Sequence, residues 1–277
     1  MSNTRKPLIF VTNDDGYKAK GLEALVEMVR PFGQVIVVAP EEANSGMSHA
    51  ITVKVPVRLK RRKVSDDVEV YSVTGTPVDC VKLAMNQLFK SRTPDLLVSG
   101  INHGSNASVS IVYSGTMAAA LEGSLYKIPS IGFSVLDYSD TPDFEATVKY
   151  GRTIVQNVLK FGLAENICLN VNVPVLPADE IKGIKVVRQN KGVWREEFEK
   201  RIDPRGVDYF WLTGYFQNEE PEATDTDEYY LSKGYITIVP IHADFTCYKE
   251  MKRIEGWNLD FVDGKKHEAK SKIEDKE

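Results

Sequence analysis

Residues 8–16 read Leu-Ile-Phe-Val-Thr-Asn-Asp-Asp-Gly, and this stretch decides the fold. Leu8 to Thr12 is a short apolar run without alternation, closed by a polar turn. Such a run suits a strand buried on both faces, which requires helices packed on either side of a parallel sheet. The neighbouring residues agree. Lys20 to Phe32 places Leu22, Leu25, Val26, Met28, Val29 and Phe32 on one helical stripe that ends before Gly33. Val35 to Ala39 is then a second apolar strand.

Working outward, the alternation continues. Arg58 to Lys63 is a basic stretch expected as an exposed hairpin or loop, and Val68 to Val73 reads as a third strand. Thr76-Pro77-Val78-Asp79 has the form of a helix start, with Thr as N-cap, Pro in the first turn and Asp three residues after the cap. That helix carries Val81, Leu83, Ala84 and Leu88 inward. Asp95 to Val98 is a further buried strand, Thr116 to Tyr126 an Ala-rich helix, Ser130 to Val135 a strand, Asp143 to Phe161 a longer helix and Ile167 to Val173 the next strand. The order predicts an α/β fold, a Rossmann-like, mostly parallel sheet with helices on both faces. From about Ala178 the pattern changes to strand-like pieces (Ile184 to Val187, Tyr209 to Leu212, Tyr235 to Val239) separated by polar loops. The expected organisation is a catalytic core over 1–177, a C-terminal β-rich extension with an oligomerisation segment over 178–263, and a disordered tail over 264–277. The aromatics Trp194, Tyr209, Phe210, Trp211, Tyr215 and Phe216 suit a subunit interface or a lid.

The 277 residues are 42 % hydrophobic and 27 % charged, ordinary globular values that exclude disorder as the main state. Apolar runs are far shorter than the ~20 residues of a membrane span, and Lys6 leads directly into an apolar strand rather than a secretory leader. A soluble, cytoplasmic protein without a membrane partner is expected. The net charge of −4 gives no global field toward nucleic acid. Cys80, Cys168 and Cys247 form no CxxC pair, so they read as buried free thiols rather than zinc ligands or a disulfide framework.

In open α/β sheets ligands bind beyond the carboxyl ends of the strands. The first strand delivers Asn13-Asp14-Asp15-Gly16. Adjacent carboxylates repel unless a cation sits with them, and Mg²⁺ or Mn²⁺ with oxygen ligands is the natural partner; a solvent-exposed Asp-Gly turn is the plainer alternative. The second strand leads to a polar loop with Asn44, Ser45 and Gly46. Beyond the Asp95 to Val98 strand come Ser99-Gly100-Ile101-Asn102-His103-Gly104-Ser105-Asn106, dense in amides that can ligate a hard cation or donate to phosphate. Tyr113-Ser114-Gly115-Thr116 then opens the Ala-rich helix, where free N–H groups make an anion site, or Ser114 and Thr116 simply cap. His49 and His103 are surface groups, or general acids if they share the edge with Asp14. No GxSxG, GxxxxGK[ST] or GxGxxG stands in strand-to-helix context.

Five stretches occur in order: Asn-Asp-Asp-Gly at 13–16, Val-Ala-Pro at 38–40 with Ser45-Gly46, Gly75 to Val81, Ser99 to Gly104 and Tyr113 to Thr116. Together, over roughly residues 8 to 135 with a weaker echo at 234–239, they resemble the SurE family, stationary-phase survival proteins that are metal-dependent 5′-nucleotidases. The resemblance implies one divalent ion per subunit, Mg²⁺ or Mn²⁺, on Asp14, Asp15, Ser45 and Asn102. It implies substrate contacts from Asn102, Gly104, Asn106, Ser114, Gly115 and Thr116, and Asp14 and Asp15 as the catalytic residues. It further implies hydrolysis of nucleoside 5′-monophosphates by a homodimer or homotetramer built with exchanged C-terminal segments. Two departures stand out: Ser108-Val109-Ser110-Ile111-Val112 replaces a frequent Gly-Asp-Asp stretch, and Glu41, Glu42 and Asn44 stand where many members carry Arg.

The alternatives are a general phosphatase, a covalent phosphotransferase of the haloacid dehalogenase type and a Mg²⁺-binding receiver-like module. The covalent reading needs Asp-x-Asp, whereas here the carboxylates are adjacent. The receiver needs a Lys after its fifth strand, and Leu136-Asp137 follows Ser130 to Val135.

Overall fold

The computed structural model describes residues 5–139, 141–257 and 259, so the tail expected over 264–277 lies outside the described residues. The elements in chain order are β1 (Leu8–Thr12), α1 (Lys20–Val29), β2 (Gln34–Pro40), β3 (Leu59–Val64), β4 (Val68–Val73), α2 (Pro77–Gln87), β5 (Leu96–His103) and α3 (Gly115–Leu125). There follow β6 (Ser130–Val135), α4 (Glu145–Phe161), β7 (Ile167–Val173), β8 (Ile184–Val186), β9 (Gly192–Ile202), β10 (Asp208–Asn218), α5 (Asp227–Ser232), β11 (Ile236–His242) and α6 (Tyr248–Glu255). The described residues up to Ala243 form one compact unit; those from Asp244 on, which include α6, form a second.

Nine strands make one sheet in the order β3-β4-β2-β1-β5-β6-β7-β11-β8. The six strands from β4 to β7 are mutually parallel. From β1 the chain builds outward to β2 and β4 on one side, then crosses to β5, β6 and β7 on the other. The order therefore reverses between β1 and β5, and the crevice at their carboxyl ends is where such a sheet binds ligands. On one face Leu22, Leu25 and Met28 of α1 and Ile154 and Val155 of α4 pack on Ile9, Val11, Val37 and Phe133. On the other, Cys80, Val81 and Ala84 of α2 and Ala119 of α3 pack on Phe10, Val38 and Leu97. The apolar run of β1 is buried throughout because both faces are covered.

The helix start at Thr76 is a full capping box: Thr76 Oγ1 accepts from Asp79 N–H and Asp79 Oδ2 accepts from Thr76 N–H. The stripe from Lys20 leaves α-geometry at Val29. Arg30–Phe32 is a 3₁₀ turn, because Pro31 has no N–H to continue the ladder. Arg58 to Lys63 supplies an edge strand, β3, antiparallel to β4, and its basic side chains blunt the open edge.

The segment after 178 divides between two sheets. β11 and β8 extend the large sheet, with β11 antiparallel to β7. β9 and β10 form a separate antiparallel hairpin paired from Gly192↔Asn218 to Ile202↔Asp208. Its apolar surface stays open: Phe198, Tyr209, Phe210, Trp211, Leu212 and Tyr215 are all exposed.

Candidate functional site

β1 ends at Thr12, so Asn13, Asp14 and Asp15 stand at the switch point. Asn13 Nδ2 donates to Gly16 O and closes the turn, while Gly16 takes φ +97, a left-handed conformation that favours glycine. Asp14 is only 2 % exposed. Its Oδ1 accepts from Thr116 Oγ1 at 2.5 Å, on the first turn of α3. Burial pushes the Asp14 carboxyl up to about 6, with the charge of Asp15 adding to the rise and hydrogen bonds from Thr116 opposing it. Gly115 makes the approach possible. A Cβ there would lie 2.8 Å from Asp14 Cβ and 3.0 Å from its Oδ2. Ser114 is the N-cap of α3, its Oγ accepting from Met117 N–H.

Asp15 is raised by burial and lowered by His103, whose Nε2 lies 3.8 Å from its Oδ1. β5 carries the next group. Its pairing with β6 slips between Ser99 and Asn102, around Gly100 at φ +126, where a Cβ would meet Phe133 O at 2.4 Å. Such a bulge re-aims the residues after it. Asn102 Nδ2 donates to Gly104 O, which leaves the amide oxygen as its free ligating atom. From the β2 side, Asn44 N–H donates to Asp14 O at 2.7 Å, bringing in the loop that carries Ser45, an exposed residue.

The donors that this edge offers are two carboxylates from the end of β1, an amide oxygen after β5 and a hydroxyl on the loop after β2, all hard oxygens suited to Mg²⁺ or Mn²⁺. Among the described residues neither carboxylate pairs with a Lys or Arg, and Asn13 Oδ1 is buried without a hydrogen-bond partner. Uncompensated charge beside an orphaned oxygen fits a cation. Among the described residues no group of three or more His, Cys, Asp or Glu is placed to hold a metal ion, so a cation would rest on two carboxylates and neutral oxygens. The 560 Å³ cavity along α1, lined by Tyr17, Leu22, Arg30, Arg62 and Val70 among others, contains none of these groups. The candidate site is the sheet edge itself.

A family model described as "Survival protein SurE" matches residues 9–196. The chain belongs to the SurE family. It is 50 % identical to the 5′-nucleotidase SurE of Christiangramia forsetii over 93 % of this chain and 99 % of that protein. It is 47 % identical to the 5′-nucleotidase SurE of Flavobacterium psychrophilum over 92 % and 98 %. The crystal structure of the SurE protein from Aquifex aeolicus superposes with a TM-score of 0.77 at 40 % identity, covering 90 % of this chain and 98 % of that one.

Within this SurE fold the remaining candidates separate. Asn106 is buried in an amide network: its N–H donates to Asn172 Oδ1, its Nδ2 to Ser134 Oγ, and its carbonyl accepts from Asn170 Nδ2. Gly104, at φ +117, donates its N–H to Val135 O and so ties the loop after β5 to β6. His103 sits beside Asp15, whereas His49 is held by Glu122 of α3. Sequence reasoning missed Asp227, fully buried, whose Oδ2 accepts from Ser108 N–H and Oδ1 from Asn190 N–H. Its only signal was the Thr226-Asp227 start of α5, 119 residues from the loop it supports.

Proposed function

We propose that this chain is a 5′-nucleotidase that hydrolyses nucleoside 5′-monophosphates to nucleoside and phosphate, using one divalent ion, Mg²⁺ or Mn²⁺, per subunit. The observation that carries the reading is the buried Asp14 carboxylate seated against the first turn of α3, beside Asp15 and, among the described residues, without a Lys or Arg counter-ion. Asp14, Asp15, Ser45 and Asn102 would hold the ion. When bound, it supplies Lewis-acid neutralisation of phosphoryl charge.

The chain's own groups do the rest. The Thr116 hydroxyl fixes the rotamer of Asp14, and Gly115 lets that carboxylate stand close to the helix. Phosphate oxygens approach the N-terminus of α3, where backbone dipoles favour negative charge. Ser114, Gly115 and Thr116 line that approach, with Asn102, Gly104 and Asn106 shaping the loop opposite. The His103 imidazole, half exposed beside Asp15, can hand a proton to the leaving 5′ oxygen.

The same reading makes the chain a homodimer or homotetramer. The exposed apolar side chains of the β9–β10 hairpin form a surface of the kind that subunit contacts cover, and the segment after residue 178 is the oligomerisation region. We place the protein in the cytoplasm: its cysteines are unpaired, Cys80 and Cys168 buried and Cys247, against the expectation of burial, exposed, as a reducing compartment permits. No helix among the described residues is long and apolar enough to cross a membrane.

The test is phosphate release from AMP, GMP and an aryl phosphate with Mg²⁺, Mn²⁺ or EDTA in parallel. EDTA-sensitive release that favours the nucleotides is expected. Equal release from all three makes the chain a general phosphatase, and no release with either metal overturns the proposal.

A further inference from the structure

Glu122 sits in the middle of α3 and is 3 % exposed, a position where an unpaired carboxylate is costly. It is paired twice. Its Oε1 lies 2.7 Å from Lys82 Nζ on α2, and its Oε2 3.0 Å from His49 Nε2. Burial works against the charged carboxylate, but the two partners outweigh it, so Glu122 titrates below the ordinary Glu range.

The His49 partner belongs to the loop that leaves β2. That loop is fastened to its neighbours at its two ends, with one internal backbone turn between them, Met47 N–H to Asn44 O at 3.4 Å. Asn44 N–H donates to Asp14 O. Four residues on, Ser48 N–H donates to Tyr113 O at 3.2 Å and Ser48 Oγ to Val112 O at 2.7 Å, just ahead of the first turn of α3. Between these fasteners Ser45, Gly46 and Met47 are exposed, and a Cβ at Gly46 would find nothing within 4 Å. Ser45 is therefore placed by what holds the loop's two ends. Neutral hydrogen bonds hold Asn44 and Ser48. The side-chain contact to a buried carboxylate in the segment is His49 Nε2 on Glu122 Oε2.

We propose that Glu122 is a positioning residue: by holding His49 it fixes the Asn44–His49 loop, and Ser45 with it, beside the N-terminus of α3. The role rests on the reading of Ser45 as part of the metal and phosphate site. It gives the buried acid of α3 a task that helix formation and core packing do not require.

The experiment uses the full chain with Glu122→Gln, His49→Ala, His49→Lys and Lys82→Ala. Three quantities are measured: hydrogen exchange of the Ser48 amide, Mn²⁺ affinity by titration, and kcat/KM on AMP across Mn²⁺ concentrations. Glu122→Gln and His49→Ala are expected to speed Ser48 exchange and to weaken Mn²⁺ binding about tenfold to a hundredfold, the usual effect of removing a group that orients a ligand. Saturating Mn²⁺ should restore kcat, and a thermal melt in EDTA should show that the metal-free variants are folded at the assay temperature, which separates weaker metal binding from a loss of folded protein. His49→Lys keeps a cation for Glu122 and should recover most of the affinity, while Lys82→Ala should leave Ser48 exchange and Mn²⁺ binding as in the parent. If Glu122→Gln does not fold, His49→Ala, which alters a solvent-facing loop residue, decides alone. Unchanged Ser48 exchange in these variants, or faster exchange with unchanged Mn²⁺ affinity, overturns the proposal. A parent chain that releases no phosphate from AMP overturns the nucleotidase reading instead, and the exchange and Mn²⁺ measurements still decide this one.

Discussion

Thr116 donates its hydroxyl to Asp14 across 102 residues of chain, joining the first turn of α3 to the end of β1. The bond works in both directions. It offsets part of the cost of burying a carboxylate, and it fixes which way that carboxylate faces. Thr116→Val keeps the shape and removes the donor. A hydrogen bond to a charged group contributes about 1.5–3 kcal/mol, so kcat/KM should fall about tenfold to a hundredfold. Steady-state kinetics on AMP beside a thermal melt would show the activity loss exceeding any loss of folded protein. Unaltered kinetics would mean Asp14 needs no such orientation.

Gly115→Ala tests the same contact from the backbone side. The added Cβ would lie 2.8 Å from Asp14 Cβ, closer than carbon atoms tolerate, so the side chain of Asp14 or the start of α3 must move. Ala is otherwise a good helix residue, better than Gly by roughly 1 kcal/mol. The variant should therefore stay folded while its Mn²⁺ affinity and kcat both drop. Titration with Mn²⁺ followed by kinetics checks it, and wild-type affinity would place the metal away from Asp14.

The raised Asp14 carboxyl carries a stability cost with a definite sign. In the metal-free protein the group titrates near 6 rather than at its ordinary 3.8, so the folded state binds the proton more tightly than the unfolded chain does. The penalty is absent below about 3.8, grows as pH rises toward 6 and is complete above it. Asp14→Asn removes the charge and keeps an oxygen for Thr116. In EDTA it should stabilise the fold by about 3 kcal/mol at pH 8 and by much less at pH 4.5, while abolishing activity. Urea unfolding at the two pH values measures this, and equal gains at both would refute the burial argument.

The features legible in the sequence are those that short-range physics controls. Leu8 to Thr12 shows no alternation because both its faces are covered. Thr76 and Asp79 announce a helix start because a capping box needs only residues three apart. The paired Asp14 and Asp15 flag a charge problem from adjacency alone. The features that stayed hidden depend on tertiary placement. In β9, Arg195, Glu199, Lys200 and Arg201 fall on both faces, and a hairpin standing in solvent need not alternate. Tyr235 to Val239 reads as part of an appended β-rich extension, and its strand β11 pairs antiparallel with β7 of the large sheet. The partner of His49 lies on a helix 73 residues away, and nothing near either residue indicates it.

Asp227 shows how such a long-range group can be tested. It is fully buried, its carboxylate receives backbone N–H groups from Ser108, Asn190 and Glu228, and it meets no cation among the described residues. Those donors come from the loop ahead of α3, the approach to β9 and α5 itself. Asp227→Ala strands all three, and an unpaired buried donor costs about 1–3 kcal/mol, so the loss should reach several kcal/mol. Asp227→Asn still accepts through its single oxygen, but its NH₂ group faces an N–H where the second oxygen stood. Its loss should fall between parent and Ala. Because Ser108 opens the turn that leads to Ser114, residual folded Asp227→Asn should also bind phosphate more weakly. Chemical unfolding of the three proteins, with inhibition by inorganic phosphate measured on the folded ones, separates the two effects. An Asn variant as stable as the parent would mean that the N–H contacts to one of the two oxygens suffice.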